Sequence, residues 1–163
     1  MVICISEAMA HAWIKLEYFE IDLSFKRVQG DINEFEVNCY DSQHNMSKFC
    51  FTLKKLFQIK HKFLTSLLDF IGLTYARVFT NIADAIAYER MFSALFDWIY
   101  QLTSNKPQIY HIHQKGWKCI LGNLDQAQAK GLGMALHKMH DSLTWEEHLL
   151  HIFKSYQIHY NRY

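Results

Sequence analysis

Residues 17–28, EYFEIDLSFKRV, alternate apolar and polar side chains with period two. Phe19, Ile21, Leu23 and Phe25 fall on one face of an extended chain, and Glu20, Asp22, Ser24 and Lys26 on the other. That pattern predicts a β-strand with one buried face. Gly30, Asp31 and Asn33 then supply a turn. EFEVNCY at 34–40 alternates again, with Phe35, Val37 and Cys39 facing inward. Two alternating runs joined by a short Gly/Asp/Asn stretch predict a hairpin, and TYARVFT at 74–80 predicts a third strand.

Downstream the period changes. Ile82, Ala85, Ile86, Phe92, Leu95, Phe96, Ile99 and Leu102 recur at helical spacing and predict a helix over 82–103. Asn81 is its expected N-cap, with Asp84 placed where negative charge favours a helix start. Ser104, Asn105 and Pro107 end it. KCILG at 118–122 predicts a short buried strand, which Asn123-Leu124-Asp125 connect to a helix over 126–140. Thr144 and Glu147 form a capping box, and the helix it opens carries Trp145, Leu149, Ile152 and Phe153 on one side. SYQIHYNRY at the end alternates weakly and predicts the beginning of another strand. The expected class is α/β, a mixed sheet with flanking helices. Its element order is that of the ribonuclease-H-like fold, and other mixed sheets share parts of that order.

Composition bounds the rest. A chain of 163 residues corresponds to one domain, and half of it is hydrophobic, which excludes a disordered tail. Lys and Arg total 17 against 16 acids, so no global basic field marks a nucleic-acid binder. Cys4, Cys39, Cys50 and Cys119 form no CxxC pair, which fits a reducing compartment. The longest apolar run, Phe63 to Leu73, is interrupted by Asp69 and falls short of the ~20 residues a membrane span needs. The expectation is a soluble intracellular protein with no membrane partner. Residues 41–72 stand apart: Lys48, Lys54, Lys55, Lys60 and Lys62 accompany a helical stripe of Leu53, Leu56, Phe57, Leu64, Leu67, Leu68 and Ile71. A basic amphipathic helix over 52–71 suits DNA phosphates, with phenylalanines stacking on bases. The same pattern suits a membrane surface or a partner helix, and the plainest reading is a solvated lysine face over an apolar stripe.

Two acids carry the candidate chemistry. Asp22 sits mid-strand on the polar face, as either a metal-binding carboxylate or a solvated acid. Asp125 lies where a strand passes into a helix, as either a ligand at a sheet's carboxyl end or a helix N-cap. The pairs His111/His113, His137/His140 and His148/His151 invite a zinc reading, but none has a cysteine or acid at recognised spacing. Surface or partly buried histidines are expected. Gly131-Leu132-Gly133 lacks phosphate-loop spacing and reads as close-packing or flexible positions near the helix.

Four segments carry a resemblance. DLSFKRV at 22–28 resembles the first-aspartate strand of Mutator-like element transposases. RVFTN at 77–81, with the long helix after it, and CILGNLDQAQAKGLGMAL at 119–136 are similar to the middle of fungal members of that family. TWEEHLLHIFKSYQIHYNR at 144–162 resembles the segment in which the family carries a Cys-x-x-His motif. The resemblance covers nearly the whole chain except 41–72. It implies a ribonuclease-H-like DDE catalytic domain, Mg²⁺- or Mn²⁺-dependent cleavage and joining of DNA at transposon ends, and a nuclear site of action. Its first acid falls on Asp22 and its second on Asp125. Related patterns place the second acid two residues earlier, where this chain has the uncharged Asn123. The Cys-x-x-His motif falls on Tyr156 and His159, so its cysteine is missing. The third acid, a glutamate, lies beyond that motif and past Tyr163, while Glu146 and Glu147 read as helix-cap acids. The expectation is one partial catalytic domain over 1–163, interrupted by a lysine-rich insert at 41–72 and inactive alone. The rival is a non-catalytic DNA- or protein-binding module that uses the basic helix.

Overall fold

The computed structural model describes residues 1–24, 32–39, 73–123 and 125–155. The expected basic helix with Lys48, Lys54, Lys55, Lys60 and Lys62, the turn at Gly30 and Asp31, and the positions Tyr156 and His159 lie outside the described residues. The elements are β1 (Val2–Cys4), α1 (Glu7–Trp13), β2 (Tyr18–Ser24), β3 (Asn33–Cys39) and β4 (Leu73–Thr80). They continue as α2 (Ala85–Thr103), α3 (Tyr110–His113), β5 (Cys119–Gly122), α4 (Gln126–Met139), α5 (Trp145–Ile152) and β6 (Phe153–Ser155).

The strands make one six-stranded mixed sheet in the order β1-β4-β3-β2-β5-β6. β2, β3 and β4 form the antiparallel meander that the alternation predicted, and β5 and β6 run parallel to β2 on its other side. The chain is therefore α/β. Phe19, Ile21, Leu23, Phe35, Val37, Val78 and Ile120 are buried on the face that α2 and α4 cover. Phe35 meets Phe92 of α2 edge to face at 5.4 Å. A register shift between Val37 and Asn38 breaks the alternation of β4, and both Tyr75 and Ala76 become buried.

The opposite face is not a simple solvated one. Asp22 pairs across to Glu36, and Glu36 to Arg77. Glu34 and Glu36 are each only 7% exposed, and the Arg77 guanidinium offsets their repulsion at 3.6 and 3.3 Å.

Three local expectations need correction. Asp84, not Asn81, caps α2, accepting the Ala87 N–H at 2.8 Å. The Thr80 hydroxyl binds both the N–H and the carbonyl of Ile82, which holds Ile82 in a turn and delays the helix. Ser6 opens a helix over Glu7–Trp13 by accepting the Met9 N–H, where the sequence showed no element. Two turns offer too few repeats for a period to be read. The last strand begins at Phe153, inside the expected apolar face of α5, whose capping box is formed as predicted.

Candidate functional site

The parallel register of β2 and β5 runs from Tyr18↔Cys119 to Ile21↔Gly122. Continued by one residue, it places Asp22 level with Asn123. The Asn123 Oδ1 accepts the Asp125 N–H at 3.1 Å, a local turn that feeds the chain into α4. Asp125 is the N-cap of α4: its Oδ1 accepts the N–H groups of Ala127 at 2.9 Å and Gln128 at 3.3 Å. Its Oδ2 accepts the Tyr88 hydroxyl at 3.5 Å. Burial first, and then the adjacent Asp125 charge, raise the Tyr88 phenol well above its ordinary range, so it remains a donor. Asp22 and Asp125 thus share one end of the strand pair, but both Asp125 oxygens are occupied by structural bonds. The Asp22 carboxylate is half-buried, with no hydrogen bond or ion pair among the described residues.

Among the described residues no group of three or more His, Cys, Asp or Glu side chains is placed to hold a metal ion. A Mg²⁺ site requires several convergent oxygens, usually including one or two free carboxylates. Here the position level with Asp22 is an amide already engaged in a turn, and the nearest downstream acid is a cap. The donor set among the described residues does not fit a divalent pair.

A second cluster is histidine-rich. His148, expected on the surface or partly buried, is fully buried. Its Nε2 lies 2.8 Å from the His140 carbonyl, which only accepts, so Nε2 carries the proton. In the neutral ring Nδ1 is then bare and accepts from the His111 Nε2 at 3.0 Å. His111 also stacks on His151 at 4.9 Å, while His113 meets His140 edge-on at 4.7 Å. The His137/His140 pair is therefore split, with His137 turning instead to the Leu143 carbonyl at 2.7 Å, while His148 and His151 both meet His111. Spacing along the chain could not reveal this gathering, because the short α3 that supplies His111 and His113 has no sequence period.

Burial, and then the neighbouring His148, His151, His113 and His140, push His111 down to about 4, and burial also lowers His140. Both folded values lie below the ordinary histidine value, so the unfolded chain binds protons first. The stability is fully present above about pH 6.5 and is lost as pH falls toward 4. With solvent screening at the half-exposed His111 ring, the loss is about 1–2 kcal/mol. Urea midpoints measured from pH 7.5 to 4 should show this slope, and His111→Gln should reduce it. An unchanged slope in that variant refutes the assignment.

No described helix is long and apolar enough to cross a membrane. Comparison with known proteins finds no matching family model, no matching curated protein and no matching solved structure.

Proposed function

We propose that this chain is a ribonuclease-H-like domain derived from a Mutator-like element transposase, acting on DNA in the nucleus but not cutting it alone. The observation that carries this reading is the strand order around Asp22. Counted from β2, the sheet reads third, second, first, fourth, fifth, with the meander antiparallel and the later strands parallel. A ribonuclease-H-like sheet has the same order, which supports the reading. Asp22 stands on the first of these strands, beside the end of the fourth, where the family resemblance puts the first acid. The added edge strand β1 lies outside this core order.

The reading of inactivity follows from the partner positions. Phosphodiester cleavage by paired cations needs carboxylates that clamp both ions. Asn123 offers no charge at the level of Asp22, and Asp125 holds the start of α4.

The test is to restore the charge. The wild-type chain should neither nick transposon-end DNA nor bind Mn²⁺ saturably. Asn123→Asp should bind Mn²⁺ in titration calorimetry, and Asp22→Ala in that background should abolish binding. Nicking by the wild-type chain that Asp22→Ala removes would overturn the inactive reading. A folded Asn123→Asp variant without Mn²⁺ affinity would overturn the placement of the site.

A further inference from the structure

At the other end of the β2/β5 pair, away from Asp22, the surface is concave. A cleft of about 790 Å³ lies between residues 14–17 and the loop 105–118. That volume is within the range that encloses small organic ligands. Its lining is strongly one-sided in charge: it includes Lys15, Lys106, Lys115 and Lys118 and a single carboxylate, Glu17. Glu17 neutralises Lys118 at 2.9 Å. The other three ammonium groups have no carboxylate partner among the described residues.

The frame under these lysines is rigid. The Trp117 N–H donates to the Gln108 carbonyl and its carbonyl accepts the Tyr110 N–H, both at 2.8 Å. The Lys118 N–H donates to the Glu17 carbonyl at 2.6 Å, tying the loop to the start of β2. Gly116, at φ 85°, closes the turn where any Cβ would overlap the Gln108 carbonyl.

One further side chain points to what the cleft takes. Tyr110 presents an exposed ring at the rim, 42% accessible, with the Lys118 ammonium 5.2 Å from its centre.

We propose that this cleft binds nucleotide phosphates, with Lys15, Lys106 and Lys115 neutralising phosphate oxygens and Tyr110 stacking on a base. Lysine point charges suit phosphate oxygens without demanding one geometry, and base stacking on an exposed aromatic ring is sequence-tolerant. A cleft of this size takes one or two nucleotides rather than a duplex. The site is separate from Asp22 and stands whether or not the chain derives from a transposase.

The test uses fluorescence anisotropy of a labelled hexathymidylate, with ATP and inorganic tripolyphosphate as competitors. Binding should weaken with salt, with a log–log slope near −2 for about three phosphate contacts. Lys106→Ala with Lys115→Ala should lower the affinity by about tenfold or more and flatten that slope. Tyr110→Ala should weaken the oligonucleotide and ATP but leave tripolyphosphate unchanged. Competition by ATP at similar affinity identifies a free nucleotide as the source, and its failure beside tight hexathymidylate binding identifies single-stranded nucleic acid. Absence of binding, or binding that the folded double-lysine variant leaves unchanged, overturns the proposal. Equal weakening of tripolyphosphate by Tyr110→Ala overturns the stacking role.

Discussion

Trp117→Ala should lower the unfolding free energy by about 3–5 kcal/mol, read from urea denaturation at pH 7.5. The side chain is fully buried and belongs to no regular element. It stacks on Trp13 of α1 at 5.5 Å and meets Phe19 of β2 edge-on at 4.9 Å. It also touches Phe96 of α2 at 5.7 Å, and its indole N–H donates to the Trp13 carbonyl at 3.2 Å. One residue therefore ties α1, the sheet and α2 together. Truncation removes aromatic contacts worth about 0.5–1.5 kcal/mol per pair beyond area burial and leaves a cavity among rings that cannot collapse into it. Trp117→Phe keeps part of the stack and loses the hydrogen bond, so its cost should be about half. If Trp117→Ala costs less than about 1 kcal/mol, the cluster is not the joint described here.

Much of the sheet was legible because β2 and β3 turn their apolar residues to one face, and period two survives wherever that holds. Phe19, Ile21, Leu23, Phe35, Val37 and Cys39 all face the core as their spacing requires. Legibility failed where other forces overrode the pattern. Glu34, Glu36 and Asn38 are buried on the other face, because a cross-strand arginine stabilises the two acids. β1 and α1 were unreadable because three and seven residues carry too little period. The cap of α2 was misplaced because Asn81 and Asp84 are both good capping residues, and only the Thr80 turn selects between them.

The candidate site was legible in chemistry but not in commitment. Sequence alone left Asp125 as either a cap or a ligand. Three hydrogen bonds to Ala127, Gln128 and Tyr88 make it a cap. The parallel register, invisible in a single strand's pattern, puts Asn123 rather than Asp125 level with Asp22. The lysines of the cleft were missed for a related reason. Lys15 is separated in sequence from Lys106, Lys115 and Lys118, and only the docking of the 105–118 loop onto Glu17 brings them together.

Gly131→Ala should destabilise the chain by about 2 kcal/mol, against the sign expected from helix propensity. In an exposed helix interior the same change stabilises by about 1 kcal/mol. Gly131 faces α2, and a Cβ there would overlap the Tyr88 Cβ and sit 2.8 Å from both the Ala85 carbonyl oxygen and the Glu89 nitrogen. Two of those three atoms are backbone and cannot swing aside, so the helices must separate, and overpacking of this kind costs about 1–3 kcal/mol. Widening that seam also strains the Tyr88–Asp125 contact that helps hold the start of α4. Gly133, two residues on, faces α5 instead, with a Cβ 2.7 Å from the Trp145 carbonyl oxygen and just over 3 Å from the Leu149 side chain. The Leu149 chain can yield and α5 is only eight residues long, so Gly133→Ala should cost less. The two glycines therefore let one helix approach a neighbour on each side, the close-packing alternative of the sequence reading. The expected order in thermal unfolding is Gly131→Ala below Gly133→Ala below wild type, with Gly131→Leu failing to fold. A Gly131→Ala protein more stable than wild type would show that propensity wins at this position and that α2 and α4 do not meet there.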